Sequence, residues 1–329
     1  MGTRRYILGK VLQVLLTLAF VIVFNFFLFR VMPGDPSELL LQRTSALNPE
    51  NVELVRQDLG LGKPLPQQFL IYAQDTLTLN FGDSFSFPGQ DVKRVIFHHL
   101  WPTILLVGTA TIASAAIGLI IGINGGWKRG SAFDVGSLSF TLFVYAMPEF
   151  WFGILVLMAF AAGVGPFPAI FPTGGYETVP SGLTGMSHVV DVLNHMVLPL
   201  FVLTVAYLGE FALIMRNSLI DILGDDFIQT AWAKGVRQKR ILWHHAVPNA
   251  LLPTTTLVFL SIGFIFSGAI TIEYVFSWPG MGLLTVQAIG GKDFPMLQGL
   301  FLLFSAAVIV ANLIADILYT YLDPRVRAA

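Results

Sequence analysis

Few side chains in this sequence stand in patterns that could do chemistry. His188-x-x-Asp191-x-x-x-His195 would set three ligand-capable groups roughly along one helix face. Histidines at loops and helix ends are common, so the spacing alone does not make a metal site, and none is expected. The pairs His98-His99 and His244-His245 are adjacent, and neighbours in a helix do not face each other. A phosphate-cradling loop would read Gly-x-x-x-x-Gly-Lys-Ser/Thr. The Gly-Lys pairs here, Gly9-Lys10, Gly62-Lys63 and Gly291-Lys292, run on into Val11, Pro64 and Asp293, so none fits. Neither H-E-x-x-H nor G-x-S-x-G occurs, and there is no convergent catalytic set. Cysteine is absent, which excludes disulfides and thiolate metal sites.

The most informative single group is Glu149, just after Met147-Pro148 in a long apolar stretch. A charge at the centre of a bilayer costs ~2.5–3.5 kcal/mol on insertion scales, so such residues face protein or a watery cavity. Glu149 is read either as a group lining a pathway or as a paired or protonated structural carboxylate. Pro148 should bend the helix beside it. Glu210 and Glu273 lie nearer the ends of their stretches.

The elements that must position these groups follow from composition. Of 329 residues, 55% are apolar and 12% charged, against about 25% charged in an ordinary soluble domain. The mean hydropathy is +0.72. A polytopic membrane protein is expected and a water-soluble enzyme is not. A net charge of −1 gives no basis for a nucleic-acid partner.

A membrane-spanning helix needs ~20 mostly apolar residues. Six stretches qualify, at about 11–29, 101–123, 135–164, 196–215, 252–272 and 297–319. Pro102 suits the first turn of the second, where a missing N–H is harmless. Arg4 and Arg5 precede the first, but it ends in Leu28-Phe29-Arg30-Val31 with no small-residue cleavage site, so it reads as a retained helix. Six spans place both termini on one side. If that side is the cytoplasm, the inner segments hold twelve basic residues, five of them between Arg216 and Arg240. The two short outer loops hold only Lys292, and this asymmetry assigns both termini to the cytoplasm. The outer side, with thirteen carboxylates and seven basic residues, reads as ordinary solvated loop charge.

Two connections are too long to be simple links, and the chain divides as 1–31, 32–100 and 101–329. In 32–100, Pro33-Gly34-Asp35-Pro36 ends the first helix. A helix from Asn48 to Gly60 and another over about 67–79 then form a small extracytoplasmic cap. In the cytoplasmic segment 217–253, Gly224 ends one helix and Asp225 or Asp226 caps the next. Gly235 ends that one, and a third runs over about 237–246. Phe227, Trp232 and Trp243 are large apolar side chains on a face that should be wet. They are read as anchors of a protein interface, with an aromatic belt at the membrane surface as the alternative.

Several stretches resemble the permease subunits of peptide/nickel-class ABC importers. They are Arg30-Val31-Met32-Pro33-Gly34-Asp35-Pro36, Leu59-Gly60-Leu61-Gly62-Lys63-Pro64-Leu65-Pro66-Gln67-Gln68-Phe69, and Lys128-Arg129-Gly130-Ser131-Ala132-Phe133-Asp134. Glu273-Tyr274-Val275-Phe276-Ser277-Trp278-Pro279-Gly280-Met281-Gly282 and the closing Asp323-Pro324-Arg325-Val326-Arg327 complete the set, which extends over almost the whole chain. The cytoplasmic segment is similar to the family's "EAA" coupling loop, with Gly235 and Pro248 at its glycine and proline. Gln229 replaces the acidic first residue, and Trp232 stands where arginine is common.

The resemblance implies an all-α, six-span, type I importer permease in a bacterial or archaeal inner membrane. It implies no catalysis in this chain and no cofactor bound to it, with ATP and magnesium on one or two partner ATPase subunits. A second homologous permease and an extracytoplasmic substrate-binding protein would complete the assembly. The coupling loop would comprise Phe227, Gln229, Thr230, Ala231, Trp232, Ala233, Lys234, Gly235, Val236, Arg237 and Pro248. Relatives of this kind carry peptides, oligosaccharides or nickel complexes. An ion-coupled secondary transporter is the alternative, although neither an internal repeat nor a set of coupling-ion groups is evident.

Overall fold

Apolar runs of this length bury backbone polar groups in their own hydrogen bonds, and in lipid only helices or closed barrels can do so. The computed structural model describes residues 3–31, 63–165, 168–179 and 182–322, and these form helices without a named strand. In chain order they are α1 (Thr3–Val31), α2 (Leu65–Leu77), α3 (Val92–Trp127), α4 (Ala132–Ala146), α5 (Glu149–Phe160) and α6 (Met186–Leu223). There follow α7 (Asp226–Ala233), α8 (Gln238–Ile265), α9 (Ile270–Val275), α10 (Met281–Gly290) and α11 (Phe294–Leu322). Among the described residues, five helices are long and apolar enough to cross a membrane, namely α1, α3, α6, α8 and α11; α4 and α5 make a sixth span if the bent pair is taken as one.

Prolines account for most differences from the sequence reading. The expected span 135–164 is not one rod. It breaks at Met147-Pro148, and α4 and α5 diverge by 98°. Proline disfavours the helical region for the residue before it, and Met147 is extended at φ −80°, ψ 133°. Glu149 therefore opens α5 instead of lying mid-helix. The second span starts at Val92, where the Asp91 carboxylate caps the helix by accepting from Arg94 N at 3.3 Å. Pro102 is thus inside α3, and a π-helical stretch, Ile104–Gly108, follows it. A second π stretch, Ile241–Ala246, precedes Pro248. The second contains His244, whose carbonyl Pro248 has no N–H to pair, so the missing donor and bulky ring open the i→i−4 ladder there. The expected separate helix 237–246 and the start of the span 252–272 are consequently one helix, α8, which ends at Ile265. Residues 270–275 form the short α9 beyond a turn. The expected turn at 33–36, the helix from Asn48 to Gly60 and the closing 323–327 motif lie outside the described residues.

Three apolar clusters follow one another along α3. At its start, Val92, Val95 and Ile96 pack with Phe29, Met281, Leu284 and Leu300. Further along, Leu106, Val107 and Ala110 meet Val202, Leu203, Ile272 and Trp278. Near its end, Ile123 joins Met215, Leu219, Ile228 and Ile241. By contrast α1 stays peripheral, with Leu8, Leu12, Leu16, Phe20 and Phe24 exposed as a lipid-facing surface requires. Its Asn25 is buried and donates from Nδ2 to Tyr72 Oη (2.9 Å) and Gln298 O (3.3 Å), which ties α2 and α11 to it.

α3 and α6 approach each other closely. A Cβ at Gly122 would lie 2.6 Å from Ala212 O, whereas one at Gly136 would meet nothing within 4 Å. Gly122→Val is expected to destabilise the detergent-solubilised protein by about 1–3 kcal/mol through overpacking. Gly136→Ala should leave the thermal unfolding midpoint unchanged in the same measurement.

Candidate functional site

The segment 217–253 holds the residues expected to contact a partner. α6 ends at Leu223, and Gly224 caps it in the ordinary helical region (φ −80°, ψ −14°). Asp225 is extended at φ −69°, ψ 147° and starts α7. This helix turns two residues inward: Ile228 and Ala231 are buried against Met215, Leu219, Ile241 and Leu242. Phe227, Gln229, Thr230, Trp232, Ala233 and Lys234 face outward. Gln229 Nε2 donates to Leu223 O at 3.4 Å, and Thr230 Oγ1 to Asp226 O at 2.9 Å, so both polar groups serve local backbone. Val236 is half-buried, while Arg237 and Pro248 are exposed.

Gly235 ends α7 in a Schellman arrangement. Its φ is +72°, its N–H donates to Trp232 O (2.9 Å), and Val236 N–H reaches back to Ala231 O (3.2 Å). Val236 and Ala231 supply the apolar contact that accompanies this cap. A Cβ on Gly235 would meet open space, so backbone handedness demands glycine here, not room. The result is a short, firmly seated helix with Phe227 and Trp232, each 39% exposed, at its surface; Trp243, 55% exposed, belongs to α8.

Glu149 lies at the N-terminus of α5, half-buried, and its Oε2 is buried without a hydrogen-bond partner among the described residues. In the metal-like spacing of 188–195, His188 turns to Glu177 while Asp191 and His195 lie together. His188 Nε2 meets Glu177 Oε2 at 2.5 Å, Asp191 accepts from Thr178 N (2.7 Å) and Oγ1 (2.8 Å), and His195 Nδ1 lies 2.9 Å from Asp191 O.

The most fully built carboxylate is one the sequence placed lower. Glu273 in α9 is completely buried. It accepts from Thr103 Oγ1 (3.0 Å), Gly282 N (2.6 Å) and Leu283 N (3.2 Å). Thr103 Oγ1 in turn accepts from Met281 N (2.7 Å), and Trp278 Nε1 donates to Pro102 O (2.9 Å). These bonds clasp the turn between α9 and α10 to α3 just before its π stretch. A Cβ at Gly280 would collide with both Thr103 Oγ1 and the Glu273 carboxylate. The clustering of Trp278, Gly280 and Gly282 after Glu273 is the sequence signal for this close approach. A second missed pair is Asp134 and Arg216. Arg216 Nε and Nη2 donate to Asp134 Oδ1 (2.6 Å) and Oδ2 (2.8 Å), and Gly130 N also donates to Oδ2 (2.9 Å).

Residues 114–328 match the family model of the binding-protein-dependent transport system inner membrane component, and residues 3–87 match the N-terminal model of such membrane components. This chain belongs to that family. It is a multi-pass permease of the inner membrane. It is 34% identical over 98% of its length to a probable peptide ABC transporter permease of Sinorhizobium fredii, of which 99% is covered. It is 32% identical to the oligopeptide transport system permease of Bacillus subtilis, with 98% of this chain and 99% of that protein aligned. With the dipeptide transport system permease of Escherichia coli it shares 31% identity over 98% of both chains.

Gly235→Ala should destabilise the permease by about 1–2 kcal/mol, the penalty of a left-handed L-residue. Glu273→Leu, which strips the acceptor from Thr103 Oγ1 and from the Ala269, Gly282 and Leu283 N–H groups, should cost on the order of 1–3 kcal/mol for each donor left unmade. Thermal unfolding in detergent checks both, and Glu273→Leu should show the larger drop.

Proposed function

We propose that this permease forms, with a second homologous permease, the ATP-driven import path for peptides. The peptide cargo is taken from the names of the aligned relatives. One or two ABC ATPase subunits hold ATP and magnesium and dock on segment 217–253, and an extracytoplasmic substrate-binding protein delivers the cargo. Both termini and α7 face the cytoplasm, in keeping with the twelve basic residues on that side. Segment 32–100, on the opposite side, helps to receive the binding protein or to shape the outer gate.

The observation that carries this reading is the build of α7. Two inward residues fix it to the bundle, a Schellman cap stops it, and Phe227 and Trp232 stand exposed at its surface. Aromatic anchors on a rigid element suit a protein groove. ATP-driven closure of the ATPases would displace α7 and, with it, the transmembrane helices. Glu149, with an unsatisfied buried oxygen beside a helix break, lines the path.

Vesicles holding the complete transporter, with a labelled peptide and its binding protein, test this. Uptake should require ATP and persist when an ionophore collapses ion gradients; uptake that stops with the ionophore would point to an ion-coupled carrier. Trp232→Asp should lower uptake by about tenfold or more, as for loss of an interface hot spot. Gly235→Pro, which cannot adopt φ +72°, should likewise lower uptake while the protein stays in the membrane. Normal uptake with intact ATPase stimulation in either variant would refute the role of α7.

A further inference from the structure

α7 is flanked in the chain by α6 and α8, which it can move through their shared backbone. α3 is remote in sequence, so α7 reaches it either through the α3–α6 contact or directly, through side chains. Trp127, the last residue of α3, stands on the direct route. Its indole stacks on that of Trp232, with ring centroids 6.1 Å apart and planes inclined by 14°. Trp127 is half-buried and packs against the cluster that seats Ile228 and Ala231. Trp232 thus has one face toward Trp127 and still leaves 39% of its surface exposed.

Behind Trp127 the bundle is stiff. Gly118, Gly122 and Gly126 recur at every fourth residue of α3. Cβ atoms there would come within 2.7 Å of Phe211 Cβ, 2.6 Å of Ala212 O and 3.0 Å of Arg216 O. No flexible side chain separates the two backbones, so little displacement can be absorbed between α3 and α6. The paired hydrogen bonds from Arg216 to Asp134 tie the start of α4 to the same turn of α6. A push on Trp127 therefore moves α3, α6 and the start of α4 together.

We propose that Trp127 is the positioning residue through which displacement of α7 enters the membrane bundle. This rests on the reading of α7 as the ATPase contact. The stack carries the force, and the glycine contact spreads it.

The test measures peptide uptake and ATP hydrolysis side by side in vesicles holding the complete transporter. Trp127→Ala should lower uptake per ATP hydrolysed by about tenfold, within the usual range of coupling between sites. Assembly and hydrolysis, which belong to other contacts, persist. Trp127→Phe retains a flat ring and should restore most of the uptake. The double variant Trp127→Ala/Trp232→Ala should be no worse than Trp232→Ala alone, because both remove one contact. Uptake per ATP within about twofold of the unaltered protein in Trp127→Ala would overturn the proposal, since coupling is then carried elsewhere. So would a parallel fall of uptake, hydrolysis and thermal stability that Trp127→Phe does not restore, which marks a merely structural stack. Trp232→Asp, run alongside, separates the two ideas: if it couples normally the reading of α7 fails, and if it uncouples while Trp127→Ala does not, only the role of Trp127 fails.

Discussion

Backbone contact between α3 and α6 sets the frame into which everything else is fitted. Where Gly118, Gly122 and Gly126 face Leu208, Ala212 and Arg216, the helices approach more closely than any side chain would allow. Small residues are the usual means of close helix packing in a membrane, because lipid leaves no hydrophobic driving force between helices. The contact brings the end of α3 beside α7 and its start beside α10 and α11. One helix thereby touches all three apolar clusters.

The interruptions in the helices are handled by polar groups that the bundle keeps for them. Broken backbone at membrane depth must be paired within the protein. At the turn between α9 and α10, Glu273 collects the N–H groups of Ala269, Gly282 and Leu283 and the Thr103 hydroxyl, and Trp278 donates to the carbonyl of Pro102. The π stretch that follows Pro102 thus lies next to the turn that is clasped to it. The break at Met147-Pro148 is different, since Glu149 retains a buried oxygen with no partner among the described residues. Glu273 thus serves as a structural clasp, and Glu149 has no comparable set of donors among the described residues.

The charged residues, only 12% of the chain, are spent in a similar way. Asp134 and Arg216 pair at the same end of the bundle as α7, where they fasten α4 to α6. Asp293 is buried and accepts from Ser84 Oγ (2.5 Å) and Ser86 N (2.9 Å), which holds the connection before α3 against α11. α7 itself relies on apolar anchors, and its polar Gln229 and Thr230 are turned to local backbone. Its outward surface therefore offers aromatic rings in preference to free polar groups.

Composition and hydropathy were enough to determine the all-α membrane class and most of the apolar spans, because twenty consecutive apolar residues have few other physical outcomes. The motif stretches carried the family, and glycine chemistry marked the end of α7 at Gly235. Tertiary structure alone decided the rest. Pro148 could have kinked a span, yet it splits it by 98°; Pro102 could have opened a helix, yet it lies inside one, since the turns before it find an Asp91 cap and packing partners. Local sequence fixes where a backbone ladder is weakened, and neighbouring helices determine whether it bends, widens or breaks. Glu273 and Glu149 show the same division. Both are lone carboxylates in apolar stretches, and only the donors brought from other parts of the chain distinguish a clasp from an open group. The Trp127–Trp232 stack joins residues far apart in sequence, and no periodicity within either helix encodes a contact between them.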